Sequence, residues 1–299
     1  MSGSETWTID EPTTLDIDGE VTELRVATVG GAVNVVGTTR PGAGVRVEVS
    51  ELVGRPLTVT REGSRLVIGY RDTPWDSLFG RSKREHDRHA VVSVSVPEAV
   101  AVTVGTVTAP AVVSGIGAET TVRTASAPAT LAGLRGPVDV RTASGDVEAE
   151  APRGPFRFQT ASGDLTVLDG ACPEISGETV SGRIALDLSR RSATPELNLK
   201  SVSGSVTLRS PATSAARVRA SSLSGNLVSE FEELTGGGGW PGQKLGGVVG
   251  EGTAGWKIST VSGGIAVLRH PLDTPDGPTG GATGSAPDTA APAPLAKEV

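Results

Sequence analysis

The chain has 299 residues, including 40 glycines but only four Phe, four Trp and one Tyr, and its net charge is −7. That charge argues against nucleic-acid binding, which needs a concentrated basic surface. The single cysteine, Cys172, excludes a disulfide framework and a cysteine-based zinc site, and we interpret it as a small buried apolar residue. Because small and β-branched residues dominate, the composition favours an all-β fold with a thin core.

The first part of the chain predicts strands. Residues 1–13 are interpreted as a separate N-terminal segment without an export signal, so the expected location is cytoplasmic. From 14 to 70, short alternating apolar segments are separated by turn signals such as Glu62-Gly63-Ser64. We expect this N-terminal strand region to cap one end of a stack, since an uncovered end exposes an unpaired strand edge.

Residues 71–89 break this alternation with a dense mix of both charges. The pattern is typical of a solvated loop, and the alternative is a partner-binding loop with apolar anchors beside arginines. The candidate residues of that loop are Trp75, Leu78, Phe79, Arg81 and Arg84. His86 and His89 are too few ligands to predict a metal site.

Strands resume after residue 90, and the uncharged stretch 99–118 is interpreted as two strands and a turn because its apolar residues alternate. A phrase of the form Thr/Ser-x-Ser-Gly then recurs six times. Its Ser-Gly pairs are Ser144-Gly145, Ser162-Gly163, Ser181-Gly182, Ser203-Gly204, Ser224-Gly225 and Ser262-Gly263, separated by steps of 18, 19, 22, 21 and 38. A period near twenty is the signature of stacked repeats.

Apolar residues alternate on both sides of each Ser-Gly pair, as in Val138, Val140 and then Val147, Ala149. Each period therefore predicts strand, tight bend, strand and looser turn. The expected fold is an all-β parallel β-solenoid with about 18–22 residues per coil. The glycine at the bend is explained by positive φ or by close approach of the adjacent coil. Aligned Thr and Ser side chains are expected to form hydrogen-bonded ladders along the stack.

The sequence repeat is interrupted once, near 230–255, where a glycine-rich stretch predicts a loop insertion. Between residues 225 and 262 we favour one coil with an insertion over two coils. Residues 14–270 are expected to form one domain, with coils over 90–270, and 271–299 is a Pro/Ala/Gly-rich tail that predicts disorder.

Few residues of the sequence indicate a catalytic or ligand-binding site. Two Gly-x-Gly-x-x-Gly matches, at 237–242 and 250–255, do not follow a strand and open a helix, so we interpret them as chance. Asp146 and Asp164 follow Ser-Gly in adjacent coils, and a turn-forming role explains them better than an acidic site. No catalytic, cofactor-binding or metal-binding residue is predicted.

The repeated phrase, preceded by a strand region such as Gly31-Ala32-Val33-Asn34-Val35, resembles a bacterial putative-adhesin family of β-strand-repeat proteins, a domain of unknown function. The resemblance covers roughly residues 14–268. It implies a β-solenoid and brings no site residues with it. The excess of 22 Arg over five Lys is typical of a GC-rich genome, such as an actinobacterial one.

The leading hypothesis is a non-enzymatic scaffold that presents 71–89 and 230–255 to a protein partner or to itself, with no cofactor, nucleic acid or membrane insertion. One alternative is a carbohydrate-active or carbohydrate-binding solenoid, which predicts that Asp139, Asp146, Glu148 and Asp164 cluster on one face. Another is a self-assembling cytoskeletal element that resembles bactofilins. Ligand, handedness of the coil and oligomeric state stay open at this point.

Overall fold

The structure is a computed structural model that describes residues 4–40, 44–70, 88–238 and 242–271. Within these ranges every regular element is a β-strand, and no helix occurs. The strands are short because Gly, Pro and Ser interrupt runs of Val, Thr, Ile and Leu, which favour extended backbone. The prediction of an all-β chain is confirmed.

The described chain contains 26 strands. In order they are β1 (Ser4–Ile9), β2 (Thr13–Ile17), β3 (Glu23–Thr28), β4 (Gly30–Thr38), β5 (Val45–Gly54), β6 (Leu57–Glu62), β7 (Arg65–Gly69), β8 (Arg88–Pro97), β9 (Ala101–Thr106), β10 (Ala111–Ser114), β11 (Thr120–Thr124), β12 (Ala129–Ala132), β13 (Val138–Thr142), β14 (Val147–Glu150), β15 (Phe156–Thr160), β16 (Leu165–Gly170), β17 (Glu174–Thr179), β18 (Ile184–Leu188), β19 (Glu196–Ser201), β20 (Val206–Ser210), β21 (Ala216–Ser222), β22 (Leu227–Ser229), β23 (Thr235–Gly238), β24 (Gln243–Val249), β25 (Ala254–Thr260) and β26 (Ile265–Arg269).

These strands form two long sheets. The larger has fourteen strands in the order β1-β6-β7-β3-β9-β11-β13-β15-β17-β19-β25-β21-β24-β23. The smaller has twelve in the order β2-β5-β8-β4-β10-β12-β14-β16-β18-β20-β26-β22. From β9 to β22, consecutive strands go to opposite sheets, and each pairs in parallel with the equivalent strands of neighbouring repeats. The middle of both sheets is therefore parallel, as the sequence predicts.

Equivalent residues of successive repeats lie opposite one another. Val138 pairs with Thr120 on one side and with Phe156 on the other. The same step of 18 residues relates Val147 to Leu165 in the smaller sheet. Because side chains alternate between the two faces of a strand, this register places each buried residue over the buried residue of the next repeat.

The inward residues of both sheets form one hydrophobic cluster. It consists mainly of Val, Leu, Ile and Ala, and the largest fully buried side chains are Trp256, Phe156 and Phe158. Trp256 satisfies its one polar atom by donating Nε1–H to the carbonyl oxygen of Pro195 at 3.0 Å. The outward positions are left free for polar side chains, so any binding surface must lie on the sheet faces or at the bends.

Antiparallel strands close the N-terminal end of the stack. β1 pairs with β6, and β2 pairs with β5, with Ile9 buried in the core. The described part of the N-terminal segment expected over 1–13 thus contributes β1 to the larger sheet, because an alternating strand with a buried face is retained by the sheet. β3 and β4 belong to the parallel part, while β8 lies between β5 and β4. The cap expected over 14–70 and the coils expected from 90 onward are therefore not separate blocks, because strands of the two parts lie side by side within each sheet.

The C-terminal end departs from chain order. β25 and β26 lie between the β19/β20 repeat and the β21/β22 repeat. β24 then pairs antiparallel with the other edge of β21, and β23 pairs with β24. The loop expected over 230–255 is therefore a strand hairpin, because it covers an edge that would otherwise be unpaired. Phe231 and Leu234 are buried beneath it, so this segment caps the core.

In the part of the chain that the structure describes, no helix is long and apolar enough to cross a membrane.

Candidate functional site

In five of the six phrases the hydroxyl of the opening Thr or Ser accepts the N–H of the glycine, and in the sixth Thr260 Oγ1 donates to the carbonyl oxygen of Gly263 at 2.6 Å. The N–H of Gly145 donates to Thr142 Oγ1 at 2.7 Å, and that of Gly163 donates to Thr160 Oγ1 at 2.9 Å. Further bonds of this kind join Gly182 to Thr179, Gly204 to Ser201 and Gly225 to Ser222. A buried amide without a partner is costly, so the Thr or Ser is needed to form the bend.

The serine of each phrase joins neighbouring repeats. Ser162 donates its N–H at 3.0 Å and its hydroxyl at 3.3 Å to the carbonyl oxygen of Ala143. Ser144 makes the same two bonds to Ala125. The sequence predicts that aligned Ser and Thr hydroxyls bond along the stack. The prediction is wrong about the acceptor, which is a main-chain carbonyl oxygen of the neighbouring repeat. These serine hydroxyls are engaged within the fold.

The repeated glycine is required by close approach of the adjacent repeat. A Cβ on Gly163 would lie 2.1 Å from the carbonyl oxygen of Gly145, and one on Gly182 would lie 1.9 Å from that of Gly163. Neither residue has positive φ; among described glycines with positive φ, Gly115 and Gly133 lie outside these phrases. Of the two reasons expected from the sequence, close approach holds and positive φ is wrong.

The carboxylates of the carbohydrate-active hypothesis lie in different places. Asp146 and Asp164 lie at the bends, where an Oδ1 atom of each accepts the main-chain N–H of the next repeat, from Asp164 at 2.9 Å and from Arg183 at 2.7 Å. Asp139 lies on the outer face of the larger sheet beside Arg141, and Glu148 is exposed on the smaller sheet. The predicted cluster of these four residues is not formed.

An exposed line of aliphatic side chains runs along the bends. The residue between Thr/Ser and Ser-Gly is alanine in the first two clear copies and valine or leucine in the later ones. Val180, Val202, Val261 and Leu223 are 52%, 47%, 46% and 56% exposed. They follow β17, β19, β25 and β21, which are consecutive in the sheet. We call these four residues the bend ridge.

The bend ridge was missed in the sequence because the phrase was interpreted as structural throughout. The change from Ala143 and Ala161 to Val180, Val202 and Leu223 was the available signal. A larger apolar side chain at an exposed position adds nothing to the core. Contiguous exposed apolar residues of this kind mark interaction sites.

Ion pairs cover part of the outer face of the larger sheet. Lys200 Nζ donates to Glu178 Oε1 at 3.0 Å, and this hydrogen bond lowers the pKa of the Glu178 carboxyl. Arg141 and Asp139 form a second pair at 3.2 Å. These charges are mutually satisfied, so they are not free to bind a ligand at full strength.

A surface pocket of about 230 Å³ lies on the same face, near the starts of β13, β15 and β17. Its lining includes Glu119, Asp139 and Glu174, together with Arg157 and Ser176. The three carboxylates come from different repeats and were not grouped in the sequence. They provide hydrogen-bond acceptors for a polyhydroxylated ligand, with one cation among them.

Cys172 is buried, and its Sγ lies 3.3 Å from the carbonyl oxygen of Pro152. Burial raises the pKa of the thiol to about 12, so it is protonated at neutral pH and is not a nucleophile. His89 Nε2 lies 3.3 Å from Glu51 Oε1 on the neighbouring strand. Across the described ranges, no three His, Cys, Asp or Glu residues are grouped as a metal site.

The second glycine motif, 250–255, covers the turn after β24 and the first two residues of β25, and it does not open a helix. Of the first motif, residues 239–241 fall outside the described residues. So do the proposed partner-binding residues Trp75, Leu78, Phe79, Arg81 and Arg84, together with His86 and the tail from 272 onward. Those predictions stay as they were made from the sequence.

Comparison with protein-family models gives no match, and comparison with curated proteins gives none either. Among solved structures, the chain is similar to two proteins of Parabacteroides distasonis. One is a "putative lipid binding protein" (16% identity, TM-score 0.45, 90% of this chain and 97% of that chain), and the other a "putative adhesin" (14%, 0.45, 90% and 98%). A "putative adhesin" of Bacteroides fragilis is 11% identical with a TM-score of 0.46, over 87% and 98% of the chains. All three TM-scores are below 0.5.

Proposed function

We propose that this chain is a non-enzymatic β-solenoid scaffold that associates with a second copy of itself through the bend ridge. The solenoid description is supported by the alternation of strands between two sheets and by the 18-residue register. The observation that carries the proposal is the unbroken line of four half-exposed aliphatic side chains. The 230–255 segment, expected from the sequence to present a partner, caps the core instead.

The chemistry beside the bend ridge favours an apolar partner. The neighbouring serine hydroxyls already bind main-chain carbonyls, as Ser203 does to Val180 and Ser262 does to Val202. Their O–H groups are therefore engaged and are not free to donate to a polar ligand. A surface that covers the ridge must supply apolar side chains and little else.

The spacing along the bend ridge favours a second copy. Strands in a sheet are about 4.8 Å apart, so the four side chains form a straight row with that repeat. A second stack of strands presents apolar side chains at the same spacing, and the same row on another copy is available at equal concentration. Two rows related by a twofold axis can interdigitate along their full length and form a closed dimer.

The dimer is expected to be weak. Fully burying a Val or Leu side chain is worth about 1.5–3 kcal/mol, so covering one that is half-exposed contributes about 1 kcal/mol. Eight such side chains give about 8 kcal/mol before an association cost of about 4–15 kcal/mol. At the lowest association cost about 4 kcal/mol remains, so dissociation constants of about 1 mM or weaker are expected.

Sedimentation equilibrium over a concentration series tests the proposal. The wild-type chain is expected to approach the mass of two copies at high concentration. The double variant Val202→Ser, Val261→Ser should stay monomeric. Val36 and Val112 are 38% and 40% exposed on the smaller sheet, so their double serine variant is the matched control and should associate like wild type.

A wild-type chain that is monomeric at every concentration would refute the proposal, and so would equal association of both double variants. Mass that grows without a limit would instead support the self-assembling filament alternative. In the larger sheet, antiparallel strands lie at both ends and argue against that alternative, because a parallel stack cannot continue across them.

Carbohydrate binding is a second candidate function, favoured by the pocket lined by Glu119, Asp139 and Glu174. Calorimetric titration with neutral oligosaccharides tests it. Glu174→Gln should weaken binding, whereas Glu148→Gln on the other sheet should not. Absence of heat for every sugar, or equal weakening in the two variants, would rule this candidate out.

A further inference from the structure

Four cations lie together on the outer face of the larger sheet near its C-terminal end. Arg217 and Arg219 are on β21, Lys244 is on β24 and Lys257 is on β25, and all four are exposed. Within the described ranges none of them takes part in an ion pair or a side-chain hydrogen bond. We call these four residues the basic face.

The register of the basic face is electrostatically unfavourable for the free protein. Lys257 lies directly opposite Arg219 on the neighbouring strand. Like charges at such positions destabilise a sheet. Farther along the same outer face, Arg141 is paired with Asp139 and Lys200 with Glu178. One carboxylate borders the four cations, since Glu196 Oε2 accepts at 2.9 Å the N–H of Gly255, which lies opposite Arg217. The patch keeps a net positive charge that an acidic ligand can neutralise.

Two of the four cations of the basic face lie opposite small residues. Arg219 lies opposite Gly246, and Lys244 lies opposite Ser221. Small neighbours leave the ends of the cationic side chains accessible from above. An open sheet face suits an extended ligand, because compact ligands bind in concave sites.

Spacing identifies the extended ligand. Arg217 and Arg219 are two residues apart on one strand, about 6.6 Å, and Lys244 continues the row on the next strand. In an extended peptide, alternate side chains on one face are separated by the same distance. Guanidinium groups bind carboxylates through paired hydrogen bonds. We propose that the basic face binds an extended acidic peptide segment whose carboxylates occupy alternate positions.

Other anionic partners fit less well. Single-stranded nucleic acids are held by aromatic stacking as well as by cations. The outward residues opposite the four cations include no aromatic side chain; they are Asn198, Ser221, Gly237, Gly246, Val248 and Gly255. The net charge of −7 also repels a long polyanion, while a short peptide meets only the local positive field. The inference is independent of the proposed dimer, because it uses a different surface.

Fluorescence anisotropy with labelled peptides tests the inference on the full chain. One peptide has three Glu alternating with Thr, and the second has the same composition with the three Glu adjacent. The alternating peptide should bind more tightly, and added salt should weaken it because exposed charges are screened. A single-stranded oligonucleotide and anionic vesicles serve as competing probes.

Variants locate the site. Arg217→Gln with Arg219→Gln should weaken binding of the alternating peptide about tenfold or more. Arg141→Gln with Arg157→Gln removes the same charge from the same sheet face and should leave binding unchanged. Lys244→Gln with Lys257→Gln is a second test, with a smaller expected loss because a lysine cannot bind a carboxylate through a paired fork.

Four results would overturn the inference. They are no binding of the alternating peptide, equal binding of the two peptides, equal weakening in the two arginine double variants, or tighter binding of the oligonucleotide or vesicles than of the peptide.

Discussion

Replacing Gly163 by alanine adds one methyl group at the point where two repeats meet. The new Cβ would lie 2.1 Å from the carbonyl oxygen of Gly145 and 2.8 Å from its carbonyl carbon. Both are main-chain atoms, so no flexible side chain can move aside. The N–H of Ser162 is bonded to Ala143, and that of Asp164 to Asp146, which holds the two repeats at this separation.

The size of the effect follows from this geometry. An ordinary carbon–oxygen contact is about 3.3–3.6 Å, so the repeats would have to separate by more than about 1 Å at the bend. Overpacking of a filled interior costs about 1–3 kcal/mol. Gly163 lacks positive φ, so alanine gains about 0.4–1 kcal/mol from the unfolded chain. We expect a net loss of about 1–2 kcal/mol.

Two control variants separate close approach from backbone conformation. A Cβ on Gly236 would have nothing within 4 Å, and this residue lacks positive φ, so its alanine variant should be neutral or slightly more stable. Gly133 also has open space but a φ of +61°, so its alanine variant should lose about 1–2 kcal/mol from conformation alone. Urea denaturation followed by far-UV circular dichroism measures all three.

An alanine variant of Gly163 that unfolds at the same urea concentration as that of Gly236 would refute the close-approach explanation. A Gly133 variant that is as stable as the Gly236 variant would contradict the cost assigned to positive φ. The slope of the unfolding free energy with urea should stay unchanged, since none of these changes alters the surface exposed on unfolding.

Three further predictions use other contacts. Thr179→Val should cost about 1–2 kcal/mol because the N–H of Gly182 loses its acceptor, whereas Thr106→Val should cost nothing because its buried Oγ1 has no partner in the described structure; equal losses on urea denaturation would contradict this. Cys172 should resist Ellman's reagent in the native protein and react at once in denaturant, and rapid native reaction would contradict the burial that raises its pKa to about 12. Burial raises the pKa of Glu23, but hydrogen bonds from two arginines outweigh this and lower it overall. The stabilisation that ionised Glu23 gives the folded chain is therefore complete above its unfolded pKa near 4.5. It is lost as the pH falls through the lower pKa that Glu23 has in the folded chain. Glu23→Gln should thus destabilise the chain at neutral pH and have little effect near pH 2, and equal losses at both would contradict it.

The local structure of a repeat could be predicted because it depends on patterns within one period. Alternation of Val138, Val140 and Thr142 predicts one strand, and the Ser-Gly pair predicts where it ends. The fixed step of 18 residues predicts parallel pairing, since only equivalent residues can then lie opposite one another. These inferences need no knowledge of which repeat is the neighbour.

The order of the strands could not be predicted, because every repeat offers an edge of similar register. The alternation of apolar residues in β25 matches that of β19 and that of β21 equally well. Nothing in the sequence of β25 indicates that it lies between them. The glycine at the bend was correctly expected to avoid a clash, but its dihedral angle depends on main-chain geometry that composition does not reveal. The basic face was also missed, since Arg219, Lys244 and Lys257 are far apart in sequence and are joined only by that strand order.

The position of β25 between β19 and β21 has a consequence for folding during synthesis. When residues 216–229 leave the ribosome, their final neighbour has not yet been made. β21 can pair meanwhile with β19, which presents the same alternation, and that pairing must open when residues 254–269 arrive. Most stacked-repeat arrays can extend one repeat at a time. This chain must instead insert its last repeat between two earlier ones, so a slow late step is expected before the native ladder is complete.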